Sequence, residues 1–345
     1  MATLKNKSDF QGDLIPAQGS DGRILLIALI KGTFDIESAE EIAKSSKQEP
    51  ICYADEYFGE EGKSSIRMGS DVAMRKPGTD VIMIGMVYAP NQQPVTKMLV
   101  TLQVGSVTKS VMIFGNRIWN RMLGSLYISK PEPFLKMPLK YEYAFGGVDT
   151  RHKNPAKHDW ERRNPVGTGF YAQKPENGLP LPNIEDPHNL IKNWSDRPVP
   201  AGFGFIDRNW EQRAQYAGTY DEKWKNEQFP LLPEDFDDRA FQAAHPELIC
   251  TPYLQGNEPV KISGAVPEGV LTFNLPDIAI GIAVHPNHGS PQRRIANLDT
   301  VIIRPDERKL NLVWRTTIEC PRKIFDIERV VAFSLRRETA LKYVN

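Results

Sequence analysis

The segment MLVTLQVGSVTKSVMIF, residues 98–114, is the clearest indicator of the fold class. Two apolar segments rich in β-branched side chains, residues 98–104 and 107–114, flank the dipeptide Gly105-Ser106. A two-residue link with a leading glycine suits a type II′ turn, because the twist of that turn matches the twist of paired strands. The pattern therefore predicts a tight antiparallel hairpin.

Strand-like patterns dominate both ends of the chain. Residues 81–89 (VIMIGMVYA) are apolar and follow the turn signal KPGT at 76–79. The C-terminal part contains similar segments separated by turn-forming tetrapeptides, at residues 259–265, 270–275, 301–304 and 310–318. Helical patterns are few, and they predict short helices over residues 233–244 and 207–218. We expect a mainly β protein with antiparallel sheets, either a β-sandwich or barrel-like.

The middle of the chain differs from both ends. Residues 146–224 are crowded with Gly, Pro, Asn and aromatic residues and show little periodicity. Disordered segments are poor in aromatic residues, because they cannot bury enough apolar surface to offset the entropy of ordering. We therefore expect a long, ordered, irregular segment packed over a β scaffold. The predicted organisation is one globular unit with an N-terminal tail (1–20), a β-rich part (21–130), an irregular middle (131–255) and a second β-rich part (256–345).

The composition argues against several classes of function. Forty-three basic and forty-three acidic residues give a formal charge of zero, so no strong field favours nucleic acid or an anionic membrane. The longest apolar run, residues 24–30, is shorter than the roughly 20 residues of a membrane-spanning helix. The first 20 residues lack the apolar core of a signal peptide. We expect a soluble cytoplasmic protein that binds neither nucleic acid nor membrane.

Motifs of cofactor, metal and catalytic sites are not evident in the sequence. Gly202-Phe203-Gly204 lacks the third glycine and the preceding strand of a dinucleotide-binding loop. His285 and His288 are near neighbours, but a metal site needs three or four converging ligands. The three cysteines are far apart and are expected to be reduced thiols. We expect no cofactor, no metal ion and no catalytic residue.

Residues 201–224, AGFGFIDRNWEQRAQYAGTYDEKW, concentrate six aromatic side chains among arginines, acids and glycines. Rings of this kind bury roughly 150–250 Å² each when they form a core. The same Trp, Tyr and Arg content is typical of the hot spots of protein interfaces. A third interpretation is a carbohydrate-active or other hydrolytic enzyme, in which Asp207, Glu211 or Asp221 supplies acid chemistry, although no nucleophile is evident.

A series of ordered motifs resembles the bacterial domain-of-unknown-function family 2169 (DUF2169). The motifs are DVA (71–73), KPGTD (76–80), GNRIW (115–119), YAFGGVD (143–149), NPVGTGF (164–170), LPNIE (181–185), PAGFG (200–204), Trp210 with Arg213, YAGTYDEKW (216–224) and LLPEDFD (231–237). The resemblance extends from about residue 24 to about residue 310. Phe205 departs from the pattern, because related proteins commonly have proline there.

The resemblance implies an adaptor, or chaperone, of type VI secretion that acts in the cytoplasm without catalysis. Members of the family are mostly described as binding a toxic effector, in some cases one containing a PAAR or Rhs part, and as helping to load it onto the VgrG spike. On this basis we expect the irregular middle to bind the partner. The candidate contact residues are Tyr143, Phe170, Phe203, Phe205, Trp210, Arg213, Tyr216, Tyr220 and Trp224.

Overall fold

A computed structural model describes residues 2–37, 41–320 and 326–343. Its strands are β1 (Thr3–Asn6), β2 (Gln11–Gln18), β3 (Ile24–Ile36), β4 (Ile42–Lys44), β5 (Glu56–Tyr57), β6 (Ile66–Met68), β7 (Thr79–Met83), β8 (Met86–Tyr88), β9 (Lys97–Val104), β10 (Val107–Phe114), β11 (Trp119–Met122), β12 (Ser125–Ile128), β13 (Lys136–Pro138), β14 (Phe145–Gly146), β15 (Val148–Asp149), β16 (Asp159–Trp160), β17 (Thr168–Gly169), β18 (Ile184–Glu185), β19 (Ile249–Cys250), β20 (Pro259–Ser263), β21 (Val270–Asn274), β22 (Ala279–Pro286), β23 (Gln292–Ile295), β24 (Asn297–Arg304), β25 (Lys309–Glu319) and β26 (Ile327–Leu335). The α-helices are α1 (Glu211–Ala214), α2 (Glu222–Glu227) and α3 (Arg337–Tyr343). Short 3₁₀ helices cover Pro90–Gln92, Tyr141–Tyr143, Pro155–Lys157, Asp238–Phe241, Pro246–Leu248 and Pro305–Glu307. The prediction of a mainly β protein with a few short helices is confirmed.

Three sheets form the scaffold. The largest runs β19-β7-β24-β25-β3-β2, with β4 also paired to β3; a second runs β18-β10-β9-β20-β21; and a third runs β1-β26-β22-β23. Most pairs are antiparallel, as expected, but β7 pairs with β24 and β1 with β26 in parallel. Buried side chains of all three sheets belong to one hydrophobic cluster, for example Val81, Val111 and Ile282. The sheets therefore share one core.

The predicted hairpin is the β9–β10 pair. Val104 lies opposite Val107, which leaves Gly105-Ser106 as the two-residue turn. Gly105 has a φ of +54°, the left-handed region that a type II′ turn requires at its first position. Alternate side chains of β9, such as Val100 and Leu102, are fully buried in the core.

Local predictions were wrong in three places: the N-terminal tail and the two helices at 233–244 and 207–218. Residues 1–20 were assigned to a tail, but β1 and β2 within them pair with β26 and β3. Residues 81–89, by contrast, form strands as predicted, and they divide between β7 and β8 in different sheets. The predicted helix at 233–244 is reduced to one 3₁₀ turn, Asp238–Phe241, because the Asp237 carboxylate accepts the amide of Arg239 and starts the turn there.

The predicted helix at 207–218 is likewise shorter in the structure. Only Glu211–Ala214 is helical, and Trp210 occupies the position before it. The Asp207 carboxylate accepts hydrogen bonds from the Asn209 amide and the Tyr57 hydroxyl, at 2.8 Å each. It therefore closes a turn upstream of the helix instead of capping it.

The irregular middle is ordered, as predicted, and packs around a second small core that it shares with strand β11. Buried side chains of this second cluster come from several separated segments: Trp119, Phe145, Phe170, Tyr171, Leu181 and Ile191. Asn164 is fully buried, and its side-chain amide donates to the carbonyls of Tyr141 and Phe145. These hydrogen bonds join separated parts of a segment that has only short strand pairs.

Among the described residues, no helix is long and apolar enough to cross a membrane.

Candidate functional site

The candidate contact residues divide into a buried group and an accessible group. Phe170, Phe203, Phe205 and Trp210 are buried, and Phe203 is only 1% exposed. Tyr143, Arg213, Tyr216 and Trp224 are half-buried, and Tyr220 is 54% exposed. In this conformation the buried group has no surface to offer a partner.

The first half of the 201–224 stretch holds the fold together. The Trp210 ring meets Tyr141 edge to face, with centroids 5.2 Å apart. The chain also crosses the Tyr141 ring at Gly202, where a Cβ atom would lie 2.8 Å from Cζ of that ring. Glycine is therefore needed at this crossing, because a side chain there would displace the buried ring.

The second half of the stretch leads into a surface segment, residues 216–238, which we call the arm. It contains helix α2, whose first turn is capped by the Asp221 side chain. The Trp224 ring packs against Tyr220 at 4.7 Å and against Phe229 at 5.6 Å, centroid to centroid. Phe229 is 67% exposed. The three rings, which we call the aromatic cluster, form a partly exposed apolar surface.

The arm is held in shape by hydrogen bonds within it and is joined to the body by another. The Asp235 carboxylate accepts from the amide and hydroxyl of Thr219, at 2.9 and 2.7 Å. The Gln228 side chain donates to the Ser20 carbonyl in the β2–β3 turn, at 2.6 Å. The Trp224 indole donates to the Leu231 carbonyl at 2.9 Å. These bonds fix the position of the aromatic cluster.

Two cavities flank the arm. The larger, about 910 Å³, is lined by the β2–β3 turn, residues 74–77, the end of the arm, and strands β24 and β25. The smaller, about 320 Å³, is lined by Tyr220, Arg213 and Arg208 together with residues 69–73. Lys76 and Phe236 contribute to both walls. We call them the large and the small cavity.

A buried polar network starts at Lys76 and runs along the wall of the large cavity. Lys76 Nζ donates to the Asp80 carboxylate and to the Thr300 hydroxyl, at 2.8 Å each. The Thr300 hydroxyl donates to the Asp299 carboxylate, which also accepts a hydrogen bond from Nε of Arg315. The KPGTD motif therefore supplies two of the five members. The other three come from strands β24 and β25, and sequence reasoning did not identify them.

The three acids of the enzyme hypothesis, Asp207, Glu211 and Asp221, differ from one another in their surroundings. Asp207 is buried and bonded to Tyr57 and Asn209, and Asp221 caps α2. Burial and the hydrogen bond to Asp207 raise the pKa of the Tyr57 hydroxyl. Glu211 is exposed in the first turn of α1, where an acid suits the helix dipole.

Phe229 is the residue of this surface that the sequence analysis missed. It lies five positions after the 201–224 stretch and belongs to none of the motifs. Its contact with Trp224 depends on the chain turning back after α2, where the Phe229 amide donates to the Trp224 carbonyl. Pro230 indicates that a helix ends before it, but no local pattern places the Phe229 ring against Trp224.

The fold and the site define a mainly β protein with a structured, partly aromatic surface arm. Residues 21–315 match the family described as "Uncharacterized protein conserved in bacteria (DUF2169)", and the chain belongs to that family. Searches of curated proteins and of solved structures found no significant match. Within the described residues, no group of three or more His, Cys, Asp or Glu side chains is placed to hold a metal ion.

Proposed function

We propose that this protein is a non-enzymatic cytoplasmic adaptor, or chaperone, that binds a type VI secretion effector and helps load it onto the VgrG spike. The effector contacts the arm. The match over residues 21–315 shows the family. The role proposed here is the one that the resemblance of the motifs implies. The aromatic cluster is the observation that supports it.

The aromatic cluster has the properties of an interface anchor. Its rings are large, they pack against one another, and the Trp224 indole is held by a hydrogen bond, so little conformational entropy is lost when a partner covers them. Phe229 and Tyr220 together expose apolar surface that the fold does not need for its own core. Exposed apolar surface of this kind is typical of a protein-binding site when it is contiguous.

Co-expression with candidate effectors from the neighbouring genes tests the proposal. The affinity-tagged protein should capture the effector, and the double variant Tyr220→Ser/Phe229→Ser should bind it at least about tenfold more weakly, the effect of losing one hot spot. Leu123→Ser is the matched control, because Leu123 is 99% exposed in the turn between β11 and β12. The three proteins should have the same melting temperature.

Two results would contradict the adaptor proposal. One is that the wild-type protein captures no product of its own secretion locus. The other is that the arm variant captures the effector as well as the Leu123→Ser control does.

The alternative is a hydrolytic enzyme, and the large cavity is the observation that favours it. Five acidic residues line this cavity: Asp21, Asp237, Asp238, Asp299 and Glu319. Each of them forms an ion pair with an arginine. These carboxylates are therefore already bound by neighbouring cations, whereas a general acid must be free to reach the substrate. The enzyme hypothesis therefore ranks below the adaptor proposal. Hydrolysis of a substrate from a panel of glycans and esters would support it.

A further inference from the structure

Arg213 differs from the other cationic side chains around the small cavity because it has no acidic partner. Its Nε donates to the Ala240 carbonyl and its Nη1 to the Ile206 carbonyl, both at 2.9 Å. These bonds hold the guanidinium in place. Within the described ranges, no carboxylate lies within ion-pair distance of it, and Nη2 has no acceptor.

The other charges around the small cavity are paired with each other. Three ion pairs account for them: Arg208 with Asp55 at 2.7 Å, Lys76 with Asp80 at 2.8 Å, and Asp71 with Lys31 at 2.8 Å. Asp207 is the remaining nearby carboxylate, and its oxygens accept from Tyr57 and Asn209 instead. Among the described cationic side chains that line the cavity, Arg213 is therefore the one without a direct ion pair.

A half-buried arginine without a direct ion pair has lost part of its hydration in the free protein. Removing a guanidinium from water is unfavourable unless an anion or several acceptors replace the lost hydration. Burial accordingly lowers the pKa of Arg213, although an arginine side chain stays charged at neutral pH. A ligand carboxylate would supply the direct ionic partner that Arg213 lacks.

The walls of the cavity indicate what else the ligand carries. Ile66, Phe205 and Phe241 line it beside Arg213. The volume of about 320 Å³ is at the lower end of the range of about 300–1,000 Å³ for ligand pockets. The free Nη2 of the guanidinium can donate a charge-assisted hydrogen bond to a carboxylate oxygen. The ligand is therefore a carboxylate with a small apolar group beside it.

We propose that Arg213 binds a carboxylate in the small cavity, and that the carboxylate belongs to the polypeptide that docks on the arm. Tyr220 lines this cavity and is also part of the aromatic cluster. A chain covering the cluster is thus next to the cavity mouth and can place a terminal or side-chain carboxylate in it. The inference that the carboxylate comes from a polypeptide rests on the proposed function. The inference of a carboxylate site does not depend on it.

Calorimetric titration of the full-length protein with N-acetyl-leucine and with N-acetyl-leucinamide tests the site. The two probes differ in charge and are alike in shape. The acid should bind at least about tenfold more tightly than the amide, which corresponds to a hydrogen bond between charged groups. Equal affinities, or no binding of the acid at the highest soluble concentration, would overturn the proposal without any variant.

Variants assign the effect to Arg213. Arg213→Gln should lose the preference for the acid, and Arg213→Lys should retain part of it because the charge remains. Arg121→Gln, which removes an exposed positive charge from strand β11, should bind both probes as the wild type does. Full preference for the acid in Arg213→Gln would overturn the assignment.

Three short peptides distinguish the sources of the carboxylate. One ends in leucine as a free acid, one is its amide, and one is an amide with an internal glutamate. A peptide carboxylate that binds more tightly than N-acetyl-leucine supports a polypeptide ligand. If none of the peptides binds more tightly than N-acetyl-leucine, the polypeptide source of the carboxylate is ruled out.

Effector capture separates this inference from the proposed function. If Arg213→Gln captures the effector as well as the wild type does, the polypeptide carboxylate is ruled out and the adaptor proposal stands. If the wild type captures no effector but still prefers the acid probe, the adaptor proposal fails and the carboxylate site stands.

Discussion

Tyr141 and Trp210 meet edge to face in the core, with an angle of 88° between their ring planes. Tyr141 lies in the 3₁₀ turn Tyr141–Tyr143, and Trp210 precedes helix α1, so the contact joins distant parts of the irregular middle. Such a pair stabilises a fold by about 0.5–1.5 kcal/mol beyond the area it buries. The rings therefore stabilise the segment from which the arm extends.

Replacing Trp210 with alanine should lower the free energy of unfolding by about 3–5 kcal/mol, because the large ring is buried and its loss leaves a cavity. Urea titration followed by circular dichroism measures this. Trp160→Ala is the control, since Trp160 is largely exposed and its loss should change the free energy by less than about 0.5 kcal/mol. An unchanged stability in Trp210→Ala would show that the ring is not part of the core.

Replacing Tyr141 with phenylalanine should leave the melting temperature unchanged or raise it. The Tyr141 hydroxyl is buried without a hydrogen-bond partner in the described structure, so its removal relieves a desolvation cost. Tyr171→Phe is the matched control, because that buried hydroxyl donates to the Pro180 carbonyl at 2.7 Å. The control should lose about 1 kcal/mol. A larger loss in Tyr141→Phe than in the control would contradict this interpretation.

Breaking the buried pair between Lys31 and Asp71 should be strongly destabilising. Nζ and Oδ2 are 2.8 Å apart, and both side chains are buried. Lys31→Met leaves the carboxylate without its cation and should cost about 3–5 kcal/mol. In Lys31→Met/Asp71→Asn the cost should be smaller than the sum of the single costs, and a double-mutant cycle measures the difference. Additive costs would mean that the two groups do not interact.

Asp149 should contribute a pH-dependent part of the stability. Two hydrogen bonds from the Arg151 guanidinium, at 2.7 and 2.8 Å, lower the pKa of Asp149 to about 2, below about 3.9 in an unfolded chain. Because the folded-state pKa is depressed, this contribution is fully present above about pH 4 and is lost as the pH falls toward 2.

Stability measured between pH 6 and pH 2 checks the Asp149 prediction. Asp149→Asn should be less stable than the wild type at pH 6, and the difference should shrink as the pH falls through the window. Asp159→Asn removes an exposed carboxylate opposite Asp149 on strand β16 and serves as the control. A constant difference between Asp149→Asn and the wild type over the whole range would contradict the prediction.

The sequence alone was sufficient where structure depends on close neighbours. The β9–β10 hairpin needs two apolar segments and a glycine between them, and all of this information lies within residues 98–114. The order of the irregular middle was also predictable, because its aromatic content is incompatible with a solvated chain. The family followed from motifs that are contiguous in sequence.

Tertiary structure decided which motif residues form the core and which form a surface. Phe203 and Tyr220 belong to the same aromatic stretch, yet one is buried and the other is exposed. Lys76 is joined to Thr300 across 224 positions of sequence, and Phe229 reaches Trp224 only after the chain turns back. No local pattern encodes such contacts, because burial and charge pairing are set by packing between segments that are distant in the chain.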